Sequence, residues 1–325
     1  DHADTLRSRN NLANLLRQKG KLDEAEPLYQ QTLEAMGRKL GEDHPDTLGS
    51  INNLASLFCM QGKLDEAELL YQHVLGARSR TLGEDHVDVL RSVNNLANLL
   101  KQQGKLVEAE PHYRRTLKAM ERTLGEDHPD TLGSTSNLAS LLITRGKLVE
   151  AEPLCKRALH GMGRTLGKDH PDTLTSVTNL ANLLLKQGKM VEAESFYRRA
   201  LEARERTLGE DHPDTLMSVN DMAILLDDQG KFKAAEPLFR RAVEARVRTL
   251  GIAHRETLRS VDHLASLLHR QGRLSSAESL YRHALDAMDG TLGDEHPERL
   301  RLVDCLAAVL SEQGKLDDAE ALYRY

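Results

Sequence analysis

The chain has no tryptophan, and Phe, Tyr and Trp together make up only 3% of its 325 residues. A wide globular interior draws heavily on aromatic side chains, so their scarcity argues against one or two thick cores despite the length. Long apolar runs are also missing. No stretch approaches the roughly 18–20 residues of a membrane span, and no apolar signal segment opens the sequence. A basic excess is absent too: 44 Lys and Arg against 50 Asp and Glu leave a net charge of −6. That balance excludes a general nucleic-acid binder, which leads with a basic face. The three cysteines, Cys59, Cys155 and Cys305, are odd in number and widely spaced. They exclude a disulfide scaffold and fit reduced thiols in a cytoplasmic protein.

What the sequence does have is a period. The string around His2 recurs at His44, His86, His128, His170, His212, His254 and His296, each 42 residues after the last, and Gly20, Gly62, Gly104, Gly146, Gly188, Gly230, Gly272 and Gly314 keep the same step. Two markers in phase over eight copies define a repeat protein. The repeats start near residues 2, 44, 86, 128, 170, 212, 254 and 296, the last one truncated, and residues 1–325 are expected to form a single solenoid domain.

Each unit reads as two helices. In the second, Pro45 suits a first helical position and Asp46 complements the N-terminal dipole. Apolar residues at Leu48, Ile51, Leu54, Ala55, Leu57 and Phe58 follow a helical rather than an alternating spacing. Gly62 closes this helix as a left-handed cap, and a second helix carries Ala67, Leu70, Tyr71, Val74, Leu75 and Leu82 up to Gly83. The spacing predicts helix A over about 45–61 and helix B over about 64–82. Neither can bury its stripe alone, so stacked pairs must share a thin, continuous core. An Ala at one helix A position in every unit, Ala13, Ala55, Ala97, Ala139, Ala181, Ala223, Ala265 and Ala307, marks close helix approach. Pro27, Pro111, Pro153 and Pro237 are read as tolerated first-turn residues of helix B, and Gly161 with Gly163 as a weak point of the fourth unit.

The unit HPDTLxSxNNLAxLLxxQGKLxEAEPLYRRALEARxRTLGED resembles the tetratricopeptide repeat, through the Leu54-Ala55 pair, Gly62, Ala67 and Tyr71. Its 42-residue length is similar to the kinesin light chain and nephrocystin-type branch of that family. The resemblance implies an all-α, right-handed superhelical α-solenoid of eight helix-turn-helix repeats. It also implies a non-enzymatic scaffold that binds a protein or extended peptide in a concave groove lined by helix A. Similar arrays sit behind nucleotide-binding modules in signalling proteins, so a sensor region is one alternative. A self-assembling array is another: Asp1 enters mid-link and Tyr325 stops inside helix B, leaving end faces open to end-to-end association or to further repeats.

The polar face of helix A carries the candidate site. One position holds Asn11, Asn53, Asn95, Asn137 and Asn179, then Asp221, His263 and Cys305. Asparagine is a poor helix former and gains nothing from plain exposure, so five in a row need a use. An amide both donates and accepts. The ladder either hydrogen-bonds the backbone of an extended ligand or fixes each repeat to its neighbour. Asn10, Asn52 and Asn94 precede it, and Asn14, Asn98 and Asn182 lie one turn on. Arg91 and Lys101 help make this face basic in repeats 1–5, whereas Asp221 and Asp228 help make it acidic in repeats 6–8. This change of sign suggests acidic or neutral ligand segments at one end and basic ones at the other.

Other chemistry finds no support. The periodic histidines would lie about 10 Å apart in stacked layers, too far to share a zinc ion, and are read as helix caps or loop packing. Glycines occur singly rather than in a phosphate-cradling loop. Glu66 and Glu68 read as exposed helix B charges with no dyad, and no histidine recurs beside Cys59 or Cys305. No cofactor, metal site or catalytic residue is expected, and no membrane insertion.

Overall fold

Within a repeat, the predicted boundaries match the helices residue for residue: α3 spans Pro45–Gln61 and α4 Leu64–Leu82. The computed structural model describes residues 3–288 and 297–324. The repeat starts at residues 2 and 296 and the two terminal residues lie outside these. Among the described residues every regular element is helical, running as A–B pairs. These are α1 (Ala3–Gln18) with α2 (Leu22–Leu40), α3 with α4, α5 (Val87–Gln102) with α6 (Leu106–Leu124), α7 (Pro129–Thr144) with α8 (Leu148–Thr165), and α9 (Pro171–Lys186) with α10 (Met190–Leu208). The remaining pairs are α11 (Pro213–Asp228) with α12 (Phe232–Leu250), α13 (Arg255–Arg270) with α14 (Leu274–Met288), and α15 (Pro297–Glu312) with α16 (Leu316–Tyr323). The chain is an all-α repeat solenoid. It divides into two compact units, residues 1–203 and 204–325, with the division inside α10.

Local chemistry sets the ends of the helices. His44, His86, His128, His170, His212 and His254 are N-caps: each ring Nδ1 accepts the backbone N–H two residues on, at 3.2–3.3 Å. Of the two readings of these histidines, capping is therefore what the geometry shows; they do the work that Asn, Asp or Ser more often does. Gly62 adopts φ 82°, ψ 3°, the left-handed cap, and Gly83 adopts φ 82°, ψ 158°, a region reserved for glycine. The prolines need a correction. Pro27 is the sixth residue of α2, past the turn whose N–H groups lack partners, so it removes one intrahelical bond. The helix continues because Pro27 is exposed and its ring points away from the packed face.

In the first unit each A–B pair packs on the next. Ala13, Leu22, Ala25 and Tyr29 of the first pair close over Leu54 and Leu57 of the second, and within the second pair Leu48 and Ile51 of α3 pack with Val74 and Ala77 of α4, with Leu33 of the first pair against them. The eight-fold Ala position is fully buried in every copy, which is what close helix approach requires. Gly161 is likewise a packing residue rather than a weak link. A Cβ there would lie 2.6 Å from Cδ2 of Leu132, itself completely buried.

A polar clamp joins successive repeats. Glu68 accepts hydrogen bonds from Gln103 Nε2 (2.8 Å) and Lys105 Nζ (3.5 Å), both in the loop between the helices of the next repeat. Glu26 does the same with Gln61 and Lys63, and in the second unit Glu236 does so with Gln271 and Arg273. Glu68 is thus half-buried and bonded, not a free surface charge, while Glu66 is exposed. The Gln103 amide and Lys105 ammonium hold the Glu68 carboxyl below its ordinary range. Glu278, bonded by Lys315 at 2.7 Å, is drawn down to about 2.

Candidate functional site

Successive A helices touch directly in the first unit, α1 with α3, α5 with α7 and α7 with α9. Their polar residues therefore form one wall, on which the asparagines fall into three groups with different duties. Asn14, Asn98 and Asn182 are tied inside their own repeats: Tyr29 Oη donates to Asn14 Oδ1 at 2.6 Å, Tyr113 to Asn98 at 2.5 Å, and Tyr197 to Asn182. A buried phenol needs an acceptor, and the amide oxygen supplies it. Asn10 and Asn94 accept from serine hydroxyls of the following repeat, Ser50 at 3.3 Å and Ser134 at 3.5 Å.

The ladder itself alternates. Asn95 Nδ2 donates to Asn52 Oδ1 of the preceding repeat at 2.8 Å. Asn179 Nδ2 donates to Ser136, both to Oγ at 2.9 Å and to the carbonyl at 3.2 Å. Between them, Asn53 and Asn137 are half-buried with no hydrogen-bond partner among the described residues, and Asn11 is exposed. Part of the ladder fastens repeats together, and part leaves amides unused.

Charge on this wall is largely paired. Arg91 bonds Asp130 of the next repeat at 2.7 Å, as Arg7 bonds Asp46 at 2.9 Å. Lys101 donates to Ser140 Oγ at 2.6 Å, and burial lowers its pKa. In the second unit Arg270 pairs with Asp227 at 2.7 Å and Arg301 with Asp262 at 2.6 Å. The sign change visible in the sequence is therefore much weaker as an outward field. Asp221, standing at the ladder position, is half-buried. Desolvation pushes its carboxyl up to about 6 against the pull of Arg204, Arg246 and Arg259. Asp228 is exposed. His263 stacks on Phe239 with ring centroids 5.8 Å apart, and burial lowers its pKa.

None of the three cysteines, Cys59 and Cys305 on A helices and Cys155 on α8, is prepared for covalent chemistry. Burial raises the Cys59 thiol to about 11 and the Cys155 thiol to about 12, and raises Cys305 as well, so all three are held protonated. Among the described residues no three His, Cys, Asp or Glu side chains gather as metal ligands. None of the described helices is long and apolar enough to cross a membrane.

The tyrosine–asparagine pairing is not evident from helical spacing, which places the tyrosines on the apolar stripe. Its signal lies in the repeats themselves. Where helix A has Asn14, Asn98 or Asn182, helix B has Tyr fifteen residues on; where helix A has Ile224, helix B has Phe239.

With paired helices, glycine caps and a bonded polar wall in place, the class is defined: an all-helical repeat array that presents side chains for protein contact. The tetratricopeptide repeat family model matches residues 4–80, 49–121, 88–159, 130–188, 175–246 and 253–324, and the chain belongs to that family. Repeats of this family form protein-interaction scaffolds. Among solved structures the fold is similar to BtubC (BKLC) from P. vanneervenii, at 24% identity and TM-score 0.57, covering 67% of this chain and 87% of that one. It is similar to a Rap protein complexed with competence and sporulation factor, at 14% identity and TM-score 0.63, covering 99% and 96%. It also resembles a signal transduction ATPase with numerous domains and a tetratricopeptide repeat sensor from Pyrococcus horikoshii, at 14% identity and TM-score 0.60, covering 98% and 47%. Comparison with curated proteins gave no match.

Proposed function

We propose that the chain is an adaptor that holds an extended segment of a partner protein against the helix A wall of residues 1–203. The observation that carries this reading is the pair of unbonded, half-buried amides at Asn53 and Asn137. They stand two repeats apart, on either side of the bonded Asn95. A half-buried amide without a protein partner keeps both its donor and its acceptor available. An extended backbone, which offers N–H and C=O groups at regular intervals, engages both whatever its side chains are. Asn10, Asn52 and Asn94 keep Nδ2 donors beside the ladder, and Asn11 extends it. Asn14, Asn98 and Asn182 hold the wall in shape from behind.

The test begins with selection of linear peptides from a random library against the intact chain. Binding of the selected peptides to an Asn53→Ala/Asn137→Ala variant is then measured by titration calorimetry. Loss of two hydrogen bonds should weaken them by about tenfold or more. Peptides that bind both proteins equally well would overturn the assignment.

A further inference from the structure

A second site lies away from that wall, at the junction of the first two repeats. Leu33 and Gly37 of α2, Thr47 and Ile51 of α3 and His73 of α4 border a cavity of about 500 Å³. Glu34 and Glu42 stand at its rim. The floor is apolar apart from Thr47, which is 1% exposed and whose hydroxyl has no hydrogen-bond partner. Glu42 and His73 also have no ion pair or hydrogen bond among the described residues.

The repeats supply an internal control for what belongs there. Two repeats on, Gly37, Ile51 and His73 correspond to Glu121, Thr135 and Arg157. At that junction the Arg157 guanidinium sits between the other two, donating to Thr135 Oγ1 at 2.6 Å and pairing with Glu121 at 2.7 Å. In the second unit Arg241 takes the same place, 2.5 Å from Glu205, the counterpart of Gly37. Between the second and third repeats Arg115 reaches Glu84, the counterpart of Glu42, at 2.6 Å. Each of these three junctions thus inserts an arginine of its own and binds it with a carboxylate. The first junction keeps the carboxylate at Glu42 and the apolar floor, but its arginine is replaced by the shorter His73 and one acid by Gly37. The space remains.

We propose that this cavity receives the side chain of an arginine from a partner protein, in the position that Arg157 fills at the later junction. The methylene stem lies on Leu33 and Ile51, and the guanidinium faces Glu42 and Glu34. Arg38, also on the rim, lies 3.9 Å from Glu34, so it competes for one of the two carboxylates, and Glu42 is the one left for the incoming guanidinium. Planar donors in a fixed fork suit two carboxylates better than an ammonium does.

The probe is N-acetyl-arginine amide, with the citrulline amide as its uncharged isostere, titrated into the full chain while the methyl signals of Leu33 and Ile51 and the ring signals of His73 are followed by NMR. Saturable shifts at these residues are expected with arginine and none with citrulline, and Glu42→Gln should weaken binding by about threefold or more. The decisive variant is Gly37→Glu/His73→Arg, which rebuilds the later junction's ion pair. A Cβ at residue 37 meets no atom within 4 Å, so the substitution has room; a thermal melt should place this variant at or above the parent, and its saturable shifts should vanish. Equal shifts with citrulline, or unchanged arginine binding by the filled variant, would overturn the proposal. Asn53→Ala/Asn137→Ala leaves this site untouched, so the two sites fail or stand separately.

Discussion

Gly161 stands against Leu132 with no room between them: a methyl at residue 161 would come within 2.6 Å of Leu132 Cδ2. Two residues on, a methyl at Gly163 would have nothing within 4 Å. Helix propensity alone favours alanine over glycine by up to about 1 kcal/mol at both positions. The outcomes should nevertheless have opposite signs. Gly163→Ala should stabilise the chain by up to about 1 kcal/mol, and Gly161→Ala should destabilise it by about 1–3 kcal/mol, because Leu132 is enclosed and cannot step aside. Urea denaturation of the two variants measures both.

The histidine caps give a second expectation. His128 Nδ1 accepts the Asp130 N–H at the start of α7. His128→Ala removes the acceptor and should cost about 0.5–2 kcal/mol, whereas His128→Asn, which caps by the same backbone bond, should recover most of it. Thermal melts at neutral pH distinguish the two. If alanine and asparagine melt together, the ring contributes by packing and not by capping.

Asp221 gives a pH dependence whose sign is fixed by its raised carboxyl. With a folded pKa of about 6 against an ordinary 3.8, the folded state binds a proton more readily than the unfolded one. Stability is then fully retained below about pH 4 and is lost as pH rises through 6. Asp221→Asn imitates the protonated form and restores the residue that Asn179 has at the same position one repeat earlier. It should stabilise by on the order of 2 kcal/mol at pH 7.5, with the gain fading between pH 6 and pH 4. Denaturation at these three pH values tests it; a constant difference across the range would mean that the charge on Asp221 is not the cause.

The sequence disclosed the fold and only part of the wall, for physical reasons that particular residues make plain. Helix ends were legible because Gly62 and Pro45 punctuate the chain locally, and the repeat removed any ambiguity of register. The duty of each asparagine was not. Asn53, Asn95 and Asn137 are the same residue at the same helical angle, yet only Asn95 finds a partner, because its neighbour across the junction is Asn52 while Asn137 faces Asn94, already engaged by Ser134. Likewise Glu68 and Glu66 differ by two positions in one helix, and only the packing of the next repeat reveals which of them is bonded. Pairings between repeats depend on distances of 35–43 residues along the chain, which periodicity marks but does not resolve.

Within each unit the glycine turn between the helices reaches backward to a glutamate of the preceding repeat. Inside a unit a module is thus latched by its successor, and an array assembled this way has a polarity that its similar modules conceal. Cutting the chain after helix B deprives the last glutamate of both its amide and its cation, whereas cutting before helix A takes the latch away together with the repeat it secured. Shortened forms with the same number of modules should therefore differ in how readily their two ends come undone, with the downstream end the first to open.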